Sequence, residues 1–234
     1  LRGFGRGRLH CGDRGMVLAE TGDAGDMTSY ELPADQLRED VLPRHASGSS
    51  SPGWWGMVML IATEAMLFGT LIASYFFLRF KSGPEWPPGG IEVPTLGLPL
   101  LMSAILWSSS IPVHIADRAI RSDRRGMTKL GLAAGFVLGA VFLTMQLAIE
   151  YPEKLAEFGP TTNAYGSLFF TLTGFHGTHV LIGLMISLWA QVRVWRGAFD
   201  ATRHVTIQNF AMYWHFVDVV WLFVLLTIYL SPNL

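Results

Sequence analysis

Hydrophobic residues in this chain are gathered into five long stretches separated by short polar segments. Each stretch exceeds the roughly 20 residues that a helix, rising about 1.5 Å per residue, needs to cross a hydrocarbon core of about 30 Å. The linkers are polar or rich in Pro and Gly, as helix-breaking connections are. The pattern predicts an all-α polytopic membrane protein, a bundle of five transmembrane helices over residues 54–78, 96–117, 129–150, 164–192 and 206–230.

The N-terminal part of the chain differs from the rest. Residues 1–52 are rich in Gly, Ser, Asp and Arg, without apolar periodicity or a signal-peptide core. We expect a polar, disordered tail over 1–52 and a membrane domain over 53–234. Because the chain begins without methionine, we hypothesise that translation starts at Met16 or Met27, which the intact mass of the purified protein would test.

Composition agrees with a membrane protein and excludes other classes. Half of the residues are hydrophobic, 15% are charged and the mean hydropathy is +0.35. The formal net charge of -1 lacks the basic excess of nucleic-acid binding. Cys11 is the single cysteine, so this chain alone cannot form a disulfide, a CxxC zinc site, a haem attachment motif or a two-cysteine copper centre.

The distribution of Lys and Arg predicts the orientation. Fourteen of the 17 lie in the tail and in the linkers after the second and fourth stretches, and three lie on the other side. The positive-inside rule therefore places the N-terminus in the cytoplasm and the C-terminus outside. Arg193, Arg196 and His204 belong to this basic side, at the end of the fourth stretch, where anionic phospholipid headgroups are natural partners. Topology-setting charge explains them about as well.

Glu64 is the most unusual residue of the first stretch. It lies ten residues after Trp54, about 15 Å into the bilayer. An ionised side chain there costs about 2.5–3.5 kcal/mol on insertion scales, so we expect a protonated or hydrogen-bonded carboxyl turned toward other helices. Two interpretations stay open, a neutral carboxyl bridging two helices and a proton relay or gate, and the bridging carboxyl is favoured.

Polar residues in the fourth and fifth stretches fall on single helical faces. At 100° per residue, the fourth stretch places His176 and His179 in one stripe with Thr173, Gly183 and Ser187, which we expect to face protein. On the fifth, His215 and Asp218 share a face with Gln208 and Ala211. A metal site of Glu64 with these histidines and Asp218 is conceivable by ligand type, but four carboxylates in Glu-x-x-His pairs are missing. We expect no metal and an intramembrane hydrogen-bond network of His176, His179, His215 and Asp218.

The third stretch carries glycines at four-residue spacing. Gly131, Gly135 and Gly139 are followed on the same face by Gln146 and Glu150. Inside a bilayer, small residues allow helices to approach closely, so this face predicts a helix contact within the chain or toward a partner.

Several strings together resemble subunit III of the haem–copper terminal oxidases. They are AYGSLFFTLTGFHGTHVLIG and YWHFVDVVWLF in the fourth and fifth stretches and WWGMVMLIATEAMLF in the first. The resemblance covers residues 53–231 and corresponds to the short, five-helix bacterial form. It departs from many members at Gln208, where they have glutamate, and at Met102.

The resemblance implies an accessory, non-redox subunit of a proton-pumping aa3-type cytochrome c oxidase in a bacterial cell membrane. It implies partner subunits I and II that hold haem a and copper, bound phospholipid, and support of proton uptake and stability in subunit I. Glu64 matches the family's carbodiimide-sensitive carboxyl, and Arg193 and His204 match headgroup contacts. A quinol oxidase subunit III and the related protein of nitric oxide reductase remain alternatives. A free-standing proton or solute carrier is less favoured because paired repeats and interrupted helices are not visible.

Overall fold

The computed structural model describes residues 51–83, 86–88, 91, 94–199 and 204–233, and this part of the chain is helical without strands. It contains five helices long and apolar enough to cross a membrane, which confirms the prediction. The tail expected over 1–52 lies outside the described residues except for its last two, as do Cys11, Met16 and Met27. We number the helices α1 (Pro52–Ser82), α2 (Gly97–Arg121), α3 (Arg125–Glu157), α4 (Ala164–Trp195) and α5 (Val205–Asn233).

Local signals set the helix ends. Pro52 stands at the start of α1, where its missing N–H costs nothing. The Asn163 side chain caps α4 by accepting a hydrogen bond of 2.8 Å from the Gly166 backbone N–H. Gly197, with a φ of 74°, follows α4 in the left-handed region that glycine adopts without steric cost. All five helices extend beyond the ends of the apolar stretches, and α1, α3 and α5 also begin before them.

Two helices change their pitch near one end. Residues Gln146–Glu150 within α3 and Leu225–Leu230 within α5 form wide π-helical turns, and α5 closes with a short 3-10 turn at Ser231–Asn233. Such turns rotate the side chains that follow them and are frequent at functional sites. Here they carry Glu150 and Tyr229, which contact each other across the bundle.

Helix α5 lies at the centre of the bundle. It packs against α1, α2 and α4, while α3 packs against α2 and α4. The starts of α1 and α5 lie together, since the Asn209 amide donates a 3.0 Å hydrogen bond to the Gly53 carbonyl. Because neighbouring spans alternate in direction, the turns joining α2 to α3 and α4 to α5 share that end.

The glycines of α3 make their contact within the chain. A Cβ atom on Gly131 would lie 2.5 Å from the Pro112 carbonyl oxygen of α2, and one on Gly135 2.5 Å from the Val113 side chain. Gly139 faces the Trp214 indole of α5, which also covers Gly183 of α4 and donates a 2.8 Å hydrogen bond to Ser109 of α2. We call Gly131, Gly135 and Gly139 the glycine seam. It is an internal packing surface of the subunit, which decides between the two interpretations left open by the sequence.

Candidate functional site

Glu64 of α1 pairs with His179 of α4. The Glu64 Oε2 atom lies 3.0 Å from His179 Nε2, and Nδ1 of the same ring lies 2.7 Å from the Phe175 carbonyl oxygen one turn earlier. The His179 side chain is 10% exposed, whereas that of Glu64 is 28% exposed. The carboxyl is thus turned toward a neighbouring helix, but it is half-buried rather than fully buried, because α1 lies on the outside of the bundle.

Hydrogen-bond chemistry fixes the number of protons in this pair. The Phe175 carbonyl can only accept, so His179 Nδ1 carries a proton. The Nε2–Oε2 link then needs one further proton, which belongs either to an imidazolium facing a carboxylate or to a carboxylic acid facing a neutral imidazole. In both arrangements the pair has no net charge, which is the form in which a carboxyl is tolerated at the membrane depth expected for Glu64.

His176 has a different environment from His179. It is fully buried, and its ring lies 4.9 Å from the Trp221 ring and 5.8 Å from the Phe142 ring, centroid to centroid. Neither ring nitrogen has a hydrogen-bond partner among the described residues. The histidine expected to share a network is held by aromatic packing instead, because its position points between α3 and α5, where the neighbouring side chains are aromatic.

His215 and Asp218 of α5 are joined through a residue of α2. The Ser110 hydroxyl lies 2.9 Å from His215 Nδ1 and donates to Asp218 Oδ2. Asp218 is buried and His215 is half-buried, with the His114 ring 6.1 Å away. Hence the four residues predicted to form one network occupy three separate places, since helix α5 lies between the α4 stripe and α2.

The pairing of Glu150 with Tyr229 was not predicted by the sequence analysis, which placed Glu150 only on the contact face of the third stretch. Glu150 is 2% exposed and accepts a hydrogen bond from the Tyr229 hydroxyl. One turn earlier, the Gln146 amide donates a 2.9 Å hydrogen bond to the Thr173 carbonyl. The burial of Gln146 and Glu150 agrees with the contact face on which the sequence placed them, and α3 continues beyond them to Glu157.

A repeat of eleven residues on α1 also escaped notice. Gly53, Glu64 and Tyr75 are three helical turns apart and therefore share one face. Each contacts the body of the bundle through a polar atom: Gly53 through Asn209, Glu64 through His179, and Tyr75 through Ser231 at 3.0 Å. We call these three residues the α1 stripe. The spacing of eleven residues could be seen in the sequence, but glycine, glutamate and tyrosine are chemically too different to be recognised as a repeat.

The residues predicted to contact phospholipid headgroups lie at the end of the bundle where α4 is joined to α5. Arg193 and Arg196 are exposed, and the Arg193 guanidinium lies 5.1 Å from the Trp189 ring and 5.6 Å from the Phe199 ring. These cation–π contacts hold the charge at one place on the surface. His204, directly before α5, is buried at 8% exposure.

The described residues contain no group of three or more His, Cys, Asp or Glu side chains arranged to hold a metal ion. Glu64 and His179 lie on the α1 side of the bundle, and His215 and Asp218 lie beside α2. A donor set of this kind, in separate pairs, does not fit a haem or copper centre.

Comparison with known proteins places these features in a family. The family model described as cytochrome c oxidase subunit III matches residues 27–232, so the match begins within the polar N-terminal segment. The chain is 39% identical over 184 residues to cytochrome c oxidase subunit 3 of Locusta migratoria, covering 75% of this chain and 67% of that one. It is 37% identical over 180 residues to that of Thermostichus vulcanus, covering 75% and 85%. It is 35% identical over 231 residues to cytochrome c oxidase subunit 3 of Marchantia polymorpha, covering 96% of this chain and 83% of that one.

Proposed function

The chain belongs to the cytochrome c oxidase subunit III family, and we propose that it is a non-redox accessory subunit of a proton-pumping aa3-type cytochrome c oxidase. As a member of that family it is a multi-pass membrane protein and part of an oxidase complex. In the proposal, subunits I and II are its partners, and they hold the haem a and copper that reduce oxygen to water. This chain supports lipid binding, proton uptake and the stability of subunit I.

The observation that carries this proposal is the way in which the ionisable side chains of the helices are paired. Glu64, Glu150 and Asp218 each have a partner inside the chain, on another helix. They join helices in separate pairs and do not converge on a common centre. Such an arrangement suits a structural subunit whose chemistry is performed by neighbouring chains.

A proton-linked role for Glu64 is supported by the geometry of its pair. The Glu64–His179 link contains one proton that can reside on either partner without changing the net charge. Because the carboxyl is half-buried on an outer helix, it is open to a reagent or a neighbouring group from the membrane. We propose that this pair links α1 to the body of the bundle and can hold a proton near the membrane centre.

Lipid binding is proposed at Arg193, Arg196 and His204. Arg193→Ala should reduce bound anionic phospholipid and shorten the active lifetime of the complex during sustained turnover, because a positioned guanidinium is lost. Arg193→Lys keeps charge but not the planar stacking on Trp189 and Phe199, so it separates the two contributions. Unchanged lipid mass in native mass spectrometry, together with an unchanged lifetime, would contradict the proposal.

The proposed location is a bacterial cell membrane, with the N-terminus in the cytoplasm. The starts of α1, α3 and α5 share one end of the bundle, and the basic residues between α2 and α3 and after α4 gather there. The positive-inside rule assigns this end to the cytoplasm. Accessibility of single cysteines, placed at this end and at the opposite one, to a membrane-impermeant reagent in intact cells tests the orientation.

Purification of the native complex in mild detergent tests the assignment as a whole. Mass spectrometry should identify the haem- and copper-binding chains together with this one, and the optical spectrum should show haem a and the two-copper centre. Oxidation of reduced cytochrome c supports the proposal. Quinol oxidation without the two-copper absorbance would favour a quinol oxidase, and a stable, transport-competent protein without subunit I would favour a carrier.

A further inference from the structure

The surface between α2 and α5 carries polar groups at membrane depth. His114 and Ser110 lie on α2, and His215 and Asp218 on α5, and we call these four residues the polar face. His215 is ten residues from the start of α5, about 15 Å along the helix, and His114 is seven residues from the end of α2, about 10 Å. Both imidazoles therefore lie within the hydrocarbon region.

His114 is exposed on this surface, and no hydrogen bond joins it to another described residue. Its neighbours along the exposed side of α2 are Ile111 and Ile115, which are 64% and 41% exposed. The nearest exposed charged residue on α2 is Arg118, one turn and about 6 Å further along the helix. An imidazole in that place would face acyl chains without a hydrogen-bond partner, which is costly in a bilayer.

Exposed hydroxyls elsewhere on the bundle do not have this problem. Thr63, Thr70 and Ser74 of α1 each donate to a backbone carbonyl three or four residues earlier in the same helix. Thr144 of α3 and Thr178 of α4 do the same. Those residues are satisfied against lipid, so the polar face is distinguished by groups that its own helices do not satisfy.

The hydrogen bonds of Ser110 show which ring nitrogen of His215 lacks a partner. With Asp218 ionised, the Ser110 proton goes to Asp218 and His215 Nδ1 donates to the hydroxyl oxygen; with Asp218 protonated, both directions are reversed. In either arrangement Nε2 of neutral His215 keeps one hydrogen-bonding role, acceptor or donor, that no described residue fills. A neutral His114 offers one donor and one acceptor.

We infer that a transmembrane helix of another subunit covers the polar face and presents a hydroxyl or an amide, which can both donate and accept a hydrogen bond, to these two imidazoles. Polar groups inside membranes characteristically pair across helix interfaces. The inference rests on the proposed function, because it takes the partner from the oxidase complex. It also assigns α2 and α5 as the docking side of the bundle.

Photocrosslinking in the assembled complex tests whether a helix of another subunit covers the polar face. Benzoylphenylalanine replacing Ile111 lies one turn from His114 on the exposed side of α2, and the same residue replacing Val137 of α3, 58% exposed, serves for comparison. We expect the Ile111 probe to form an adduct with a peptide of another subunit in the purified complex. Adducts with phospholipid alone would overturn the inference. If the chain purifies without haem-containing chains, the proposed function has failed instead.

Subunit retention gives the second test. His114→Leu should make the chain dissociate from the complex about three- to tenfold faster on detergent challenge, because one interhelical hydrogen bond is lost. His114→Gln keeps hydrogen-bonding capacity and should restore retention. Met185→Leu, at an exposed position of α4, is the control. Equal retention of His114→Leu and the control would contradict a partner helix at this face.

Discussion

Helices α1 and α5 have similar lengths and similar apolar sequences, yet they are held in the bundle in different ways. Two of the 31 residues of α1, Phe68 and Tyr75, are buried, whereas ten of the 20 residues in Val205–Val224 of α5 are buried. Helix α5 is held by close packing, with Trp214 seated against two glycines. Helix α1 is held by polar links spaced along the α1 stripe.

The difference reflects the solvent. Lipid tails are as apolar as leucine, so burying apolar surface between helices yields little inside a bilayer. Helices in a bilayer are therefore held together by close contact of small residues and by hydrogen bonds between helices. In this chain close contact holds the central helix α5, and hydrogen bonds hold the outer helix α1. We therefore expect large losses of stability from changes at the centre and small, local losses from changes on the α1 stripe.

Trp214→Ala should have the largest effect. It removes the indole that fills the space left by Gly139 and Gly183 and deletes the hydrogen bond to Ser109, so the free energy of unfolding should fall by about 3–5 kcal/mol. Titration of the complex with a denaturing detergent measures this. Trp107→Ala, at a position 39% exposed, is the control, and equal losses in the two variants would mean that Trp214 is not central.

Gly131→Ala tests the glycine seam at its closest point. The new methyl group would meet the Pro112 carbonyl at 2.5 Å, so α2 and α3 must separate, at a cost of about 1–3 kcal/mol. Gly69→Ala on α1 meets nothing within 4 Å and should be neutral or slightly stabilising, because alanine favours the helix. The same denaturing titration compares the two, and a neutral Gly131→Ala would contradict close packing at the seam.

Tyr75→Phe tests the outer end of the α1 stripe. The hydroxyl contacts Ser231 and accepts a 3.0 Å hydrogen bond from the Trp86 indole N–H, so its loss should cost about 1 kcal/mol. The loss should be local, seen as faster proteolysis near residue 83 with the rest of the bundle intact. A cooperative loss of the whole fold would show that α1 and α5 do not differ in this way.

Glu64→Gln should have the smallest effect. Its amide keeps the size of the side chain and can donate to His179 Nε2, so assembly and most oxygen consumption should persist. Glu64→Leu, which cannot form this bond, should loosen α1 by about 0.6 kcal/mol, the mean for interhelical hydrogen bonds in membranes. Loss of all oxygen consumption in an assembled Glu64→Gln complex would show instead that the carboxyl is a required proton relay.

Much of the fold followed from pattern alone. Five apolar stretches of sufficient length must form helices, because every backbone polar group in lipid needs a partner within its own segment. The buried face of α4 followed from the periodicity of a helix, and the depth of Glu64 stays a prediction from the helical rise. The spacing from the glycines placed Glu150 on the contact face of α3, but its partner Tyr229 on α5 could not be predicted from that spacing.

The choice of partners was decided by the tertiary structure. His176 and His179 stand one turn apart on the same buried stripe, yet one packs among aromatic rings and the other pairs with Glu64. No sequence pattern singled out Ser110 and His114, and their contacts with His215 are seen only in the structure, where α2 lies beside α5. Hydropathy and periodicity depend on each helix by itself, so the sequence determined the spans and their inward faces. A hydrogen bond between helices depends on rotations and depths that packing sets, so the pairing of these side chains belongs to the folded bundle.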